Sequence, residues 1–373
     1  MKYIKNFYIY ELNRTKIVFK ITILIIFISF YFYMKSINIK VGVISLEHSQ
    51  NIGNNLLKYA IYIKLIELGF KPYIIGKKYL NDNISFIQEN TNLRLINNSF
   101  KEIKEDDYDI LMVNSDQTWR KWSIKYFYDI AFLKFAENWD KPKFVYGASL
   151  GKDNWEYNKE DEEISKKLLK NFTGISVREK GAVTLIEKNI GIKPFFVLDP
   201  TLLINKKYYL NLIADYNGKI NHSKKSIFVY SIINLNEIKQ LLKKVNETLH
   251  YDINWVTPYT SNQIKEFIYG IKYSQAIITD SYHGTLFSII FNKPFIAFVY
   301  QKAGNERFNS LKEVFNLENR IFDLNSNPDI KLLETPLIIN RNVLNVLKKK
   351  SINFLKNNLN QVYKKIFKFK LLK

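Results

Sequence analysis

Residues 276–298 read AIITDSYHGTLFSIIFNKPFIAF. Ala276–Thr279 is a short apolar run, which predicts a buried strand. Asp280–His283 is a polar turn, Gly284–Phe291 predicts a helix, and Phe295–Phe298 predicts a further strand. Strand, helix and strand within so few residues mark one unit of a parallel sheet. The alternation extends in both directions. Upstream, Lys40–Ser45, Pro72–Gly76, Asp109–Val113, Phe144–Ala148, Ile175–Val177 and Phe195–Leu198 predict strands. A helix is expected through Leu56, Ala60, Ile61 and Leu65, after a loop holding Asn51, Gly53 and Asn54. A second series opens at Ser226–Ser231, followed by a helix near Leu235–Val245. Leu344, Leu347, Ser351, Leu355, Leu359 and Val362 recur at helical spacing and predict an amphipathic helix.

Ile204–Ser223 is polar and contains the turn signal Asn217-Gly218, so a hinge is expected at 205–223. The expected architecture is α/β, two Rossmann-like domains facing a cleft. They would occupy 39–204 (the acceptor side) and 224–360 (the donor side), with an apolar N-terminal extension at 1–38 and a basic tail at 361–373.

The chain has 373 residues and a formal charge of +21. Residues 1–40 and 341–373 together carry sixteen of those charges, leaving a weakly basic body. A nucleic-acid groove needs its charge on the folded body, so no nucleic-acid partner is expected. Basic, partly apolar ends suit an anionic membrane surface; a general enrichment in Lys, Ile and Asn is the plainer alternative. There is no cysteine, which excludes disulfides, thiolate catalysis and Cys-ligated zinc. His48, His222, His250 and His283 show no paired ligand spacing, so no metal is expected.

Ile21–Met34 is almost entirely apolar. As a helix it would span about 21 Å, short of a ~30 Å hydrocarbon core, although extension to Ile17 with Lys20 snorkelling would make spanning possible. Five Lys/Arg precede the run, a bias that would export the body if the segment spanned. Association with the cytoplasmic face through residues 17–34 is the expectation, with a true start at Met34 as the alternative.

Six segments carry a resemblance in chain order: NIGNNLLKYA (51–60), VNSDQTW (113–119), YGASLG (146–151), ISVRE with VLDPTLL (175–203), TDSYHGTLFSIIFNKPFI (279–296) and GNERFNSLKEVFNLENRIFD (304–323). Together, over about residues 39–360, they resemble the polysaccharide pyruvyl transferase family. The resemblance implies a GT-B-like fold, phosphoenolpyruvate as donor substrate with no further cofactor, and a carbohydrate or lipid-linked sugar acceptor. Some members carry Arg where Ser281 stands here; others share Ser-aromatic-His-Gly.

His283 leads the candidate catalytic residues, because its turn opens a helix at the carboxyl edge of a sheet, where open α/β sheets bind ligands. An imidazole there can protonate the donor methylene or assist phosphate departure; a histidine satisfied by backbone is the bland reading. Ser281, Gly284 and Thr285 are expected around the donor at that helix N-terminus. Asp116 is expected to orient or deprotonate the acceptor, or simply to cap the helix after it. Arg178 and Arg307 are the candidate anion grips, or else partners of Glu179 and Glu306. Asn51, Gly53 and Asn54 are the acceptor-binding candidates, with turn and cap chemistry as the alternative. Asp199-Pro200 reads as a structural turn. Two other functions fit parts of the sequence: a GT-B glycosyltransferase using a sugar nucleotide, and a non-catalytic membrane-surface or nucleic-acid binding protein built on the basic ends.

Overall fold

Apolar runs without polar alternation require burial on both faces, and here they become the inner strands of two parallel sheets. The computed structural model describes residues 38–46, 51–77, 85–97, 99–121, 124, 128–218, 225–233, 236–256, 263–301 and 304–365. The membrane-associating stretch expected at 17–34, nearly all of the segment 1–38, and residues 366–373 of the basic tail lie outside them. Among the described residues no helix is long and apolar enough to cross a membrane.

The first sheet holds β1 (Lys40–Ile44), β2 (Lys71–Lys77), β3 (Leu93–Ile96), β4 (Ile110–Val113), β5 (Lys143–Ala148), β6 (Gly174–Val177) and β7 (Phe195–Phe196). Its order is β3-β2-β1-β4-β5-β6-β7. The second holds β8 (Ser226–Tyr230), β9 (Asp252–Val256), β10 (Ala276–Thr279), β11 (Phe295–Val299) and β12 (Ile321–Asp323), in the order β12-β11-β10-β8-β9. The expected two Rossmann-like domains are therefore present. Strands β3, β9 and β12 escaped the sequence reading because they are sheet-edge strands whose short runs mix charged with apolar residues. In each sheet the order reverses once, between β1 and β4 and between β8 and β10. Those switch points open a crevice at the strands' carboxyl ends.

Five helices position the site: α1 (Ile52–Glu67), α2 (Lys180–Ile190), α3 (Tyr282–Phe291), α4 (Glu306–Phe315) and α5 (Arg341–Leu359). Helix α1 begins earlier than expected. Asn51 caps it by accepting from the Asn54 N–H at 2.9 Å, so Gly53 and Asn54 belong to its first turn rather than to a loop. Helix α3 also starts early, because Ser281 is its cap and accepts from the Gly284 N–H at 3.3 Å.

The segment expected as a polar hinge is helical over Lys206–Asn211. Its polar residues face solvent while Tyr209 and Ile213, four apart, are buried. Tyr209 links the two halves of the core: its ring lies 6.3 Å from Tyr59 of α1 and 4.8 Å from Phe287 of α3. Helix α5 crosses back to the first sheet. Ser351 Oγ accepts from the Leu198 N–H at 2.9 Å, and Phe354 packs on Phe144 and Tyr146.

Candidate active site

The two switch points face each other across a cavity of about 240 Å³. Asn51, Asp116, Gln117, Asp280, Ser281, His283 and Arg307 supply its polar wall, and Leu46, Ile232, Ile233 and Tyr300 much of its apolar one. Asp116 follows β4, while Ser281 and His283 follow β10, so each domain contributes the carboxyl end of a central strand.

Asp116 has a backbone φ of 118°, a conformation that costs a non-glycine residue about 1–3 kcal/mol. Its surroundings hold it there. Its carbonyl accepts from the N–H groups of Thr118 (2.7 Å) and Ser149 (2.9 Å). Its Oδ1 accepts from the Gln117 N–H at 2.8 Å and from Arg178 Nη2 at 2.9 Å. Its Oδ2 accepts from Asn54 Nδ2 at 2.9 Å. Burial would raise this carboxyl, but Arg178, His283 and Asn54 together hold it well below the usual carboxylate range. It is an anion throughout the neutral range and is too weakly basic to serve as a strong proton acceptor.

Arg178 is wholly buried and committed to two carboxylates: Nη2 to Asp116, and Nη1 to Asp199 Oδ2 at 2.6 Å. Burial alone would lower it; Asp199 and Asp116 raise it, so its charge is fixed. The alternative partner considered from the sequence, Glu179, instead accepts from the Leu150 and Gly151 N–H groups at 2.9 and 3.3 Å and from the Ser149 hydroxyl. Burial raises its carboxyl. Arg178 also lies 4.9 Å from the ring centroid of Tyr282, and Arg307 lies 5.2 Å from the same ring. Burial, then Arg178, lowers Arg307. Glu306, the other alternative partner, turns away and accepts from the Gly181 N–H at 3.0 Å.

His283 is 6% exposed. Its Nε2 stands 3.8 Å from Asp199 Oδ2 and has no hydrogen-bond partner among the described residues. Burial pulls its pKa down to about 4; Asp199 opposes this and Arg178 adds to it. The imidazole fits against α1 because residue 53 is glycine: a β-carbon there would overlap its Nδ1 edge.

Of the residues singled out from sequence, Asn51, Asp116, Ser281, His283 and Arg307 line the cavity. Gly53, Asn54 and Arg178 stand behind them as spacer, hydrogen-bond donor and ion-pair bridge. Gly284 is close-packed, since a β-carbon would strike Thr279, and Thr285 is buried with its hydroxyl donating to the Ser281 carbonyl at 3.1 Å. The sequence reading missed Asp199 as a site residue. Its signal was position, just beyond the carboxyl end of β7, and not type alone. It also missed Asp280, whose carboxylate is raised by burial and accepts from the Ser231 hydroxyl (2.6 Å) and the Ile232 (2.7 Å) and Ile233 (3.0 Å) N–H groups. That carboxylate ties the loop after β8 to the turn that carries His283. Among the described residues no group of three or more His, Cys, Asp or Glu is arranged so that it could hold a metal ion.

The family model described as polysaccharide pyruvyl transferase matches residues 51–302. No curated protein matches the chain. Among solved structures, the S. aureus MnaA–UDP co-structure is 15% identical, with 70% of this chain and 79% of that one covered and a TM-score of 0.47. UDP-GlcNAc 2-epimerase from Methanocaldococcus jannaschii is 13% identical, with 84% and 93% covered and a TM-score of 0.47. Arabidopsis thaliana UGT89C1 is 10% identical, with 87% and 98% covered and a TM-score of 0.48. The family match stops short of Arg307. It takes in both walls of the cavity all the same, from Asn51 in the first domain to Tyr300 in the second, and on that match the chain belongs to the polysaccharide pyruvyl transferase family.

Proposed function

We propose that the protein transfers the pyruvyl group of phosphoenolpyruvate to a sugar hydroxyl of a cell-surface glycan or its precursor. The observation that carries this reading is the meeting of Asp116 and His283, from opposite domains, in one cavity with Arg307. Family membership supplies the reaction class, and the site contains groups suited to each step.

The acceptor oxygen adds to C2 of the enol phosphate while C3 takes a proton from His283 and becomes a methyl group, and the proton released by the acceptor hydroxyl returns to His283. A second hydroxyl then displaces inorganic phosphate from C2, which closes a cyclic ketal. If C3 instead gives up a proton as phosphate leaves, the product is a single enol ether. His283 is the proton carrier. It is neutral in the resting site, and an anionic donor beside it raises its proton affinity, so donor binding and proton loading are coupled. Asp116, held ionised, orients the acceptor hydroxyl by accepting its hydrogen bond. Arg307 and the N-terminus of α3 face the donor's anionic groups. Association with an anionic membrane surface through the basic ends would bring the site to a lipid-linked acceptor.

Phosphate release from phosphoenolpyruvate, measured with pooled sugar and lipid-linked acceptors, tests the reading. Acceptor-dependent release that disappears in His283→Ala supports it. Consumption of a nucleotide sugar without any such release points instead to glycosyl transfer.

A further inference from the structure

We infer that Asp199 is the counter-ion of His283, a positioning residue whose carboxylate selects the imidazole tautomer and holds the imidazolium once it forms. The inference deepens the proposed reaction and depends on it only for the identity of the anion that triggers protonation.

The geometry is that of a shared carboxylate. Asp199 is buried, and its two oxygens have separate duties. Oδ1 accepts from the Thr201 N–H at 3.0 Å and from the Thr201 hydroxyl at 2.7 Å, which fixes the side chain. Oδ2 accepts from Arg178 at 2.6 Å and faces His283 Nε2 at 3.8 Å. A lone pair on Nε2 would point at a carboxylate, whereas an N–H there would be attracted by it, so the field favours the Nε2–H form. Nδ1, on the Gly53 side, is then the nitrogen that gains and gives the proton. The arrangement follows the general logic of an imidazole oriented by a buried acid.

The other charged and titratable groups facing the ring do not duplicate this role. Asp116, at the end of β4, also favours the protonated ring, but less than Asp199 does, and its carboxylate is held by Asn54, Gln117 and Arg178. Arg178 from β6 and Arg307 from α4 oppose protonation. Tyr282, on the same helix, presents its ring 5.3 Å away, edge-on. The first turn of α1 contributes Gly53 and Asn54, neither titratable.

Imidazole NMR on the full chain tests this, because there are only four histidines to resolve. The His283 signals are assigned by their loss in His283→Gln. In the unmodified protein, ¹⁵N shifts should report the Nε2–H tautomer. Asp199→Asn should lower the His283 titration midpoint by about one unit, a tenfold loss in proton affinity, and erase the tautomer preference. Thr201→Val keeps the charge but removes one hydrogen bond from it, so the carboxylate acts more strongly on the ring and the midpoint should rise. Opposite shifts are not produced by general loosening of the fold. If Asp199→Asn does not fold, the sign of the Thr201→Val shift decides. An unchanged or lowered midpoint in Thr201→Val, or an unchanged one in Asp199→Asn, overturns the assignment. All these readings are made without phosphoenolpyruvate. Its addition, followed by proton uptake, is a separate arm whose failure counts against the donor and not against Asp199.

Discussion

The imidazole of His283 occupies the volume that a side chain at residue 53 would fill, so a glycine in the first domain sets the position of a histidine in the second. The contact crosses the cleft and joins the N-terminal turn of α1 to that of α3. Replacing Gly53 with Ala forces one of the two to move. Overpacking of this kind costs about 1–3 kcal/mol, and a displacement of about 1 Å at a reacting group can cost 10²-fold in rate. We expect Gly53→Ala to lower acceptor-dependent phosphate release by about that factor while thermal stability falls only modestly. A variant of normal rate would show that His283 does not work from this position.

The depressed pKa of His283 makes a prediction about stability. Its folded value is about 4 against about 6.5 for an unfolded histidine, so between these values the unfolded chain binds the proton that the folded one refuses. Stability conferred by the neutral buried ring is therefore intact above pH 6.5 and lost as pH falls toward 4. The loss amounts to about 3 kcal/mol in all. His283→Gln should flatten the pH dependence of the urea midpoint in that window, which parallel denaturation series would reveal. Asp116 acts below this range: its carboxyl is held low, so its contribution is present above the ordinary carboxylate value and fades as pH drops beneath it.

Arg178 bridges Asp116 and Asp199 with both guanidinium ends. Removing it as Arg178→Met leaves two buried carboxylates uncompensated, at a cost of about 3–5 kcal/mol. Arg178→Lys can reach only one of them, so it should fold better than the Met variant yet lose most activity. Urea unfolding and phosphate release, measured side by side, separate these outcomes. Equal stability in the two variants would mean that the charge contributes little.

Helix α2 is capped from the other domain. Its own N-cap residue, Glu179, spends its side chain on Ser149, Leu150 and Gly151, and the first N–H groups of α2 go elsewhere. The Gly181 N–H donates to Glu306 and the Lys180 N–H to Ser310 Oγ at 2.8 Å, both on α4. Losing either cap should cost about 1 kcal/mol. Ser310→Ala and Glu306→Ala should therefore speed hydrogen exchange at Lys180 and Gly181, although both substitutions lie on α4. Exchange changed only within α4 would refute the coupling.

Much of the fold was legible because it is written locally. Short β-branched or apolar runs such as ILMV (110–113) and AIIT (276–279), bounded by polar turns, read as buried strands. Edge strands β3, β9 and β12 were not legible, since a half-exposed strand carries a diluted pattern. The burial of Tyr209 and Ile213 was not legible for the same reason: two apolar residues are too few to signal burial among polar neighbours.

The sequence by itself determined that the chain builds two parallel α/β units and that Asp116 and His283 each follow a strand at the carboxyl edge of a sheet. Local periodicity and turn chemistry suffice for that. Only the tertiary structure decided which strand ends meet. It turned Arg178 from a candidate anion grip into the bridge between two carboxylates, and Asp199 from a turn residue into the neighbour of His283. It also gave Gly53 its purpose. These roles depend on groups far apart in the chain, brought within a few ångströms by sheet order and domain packing, and no short stretch of sequence encodes such distances.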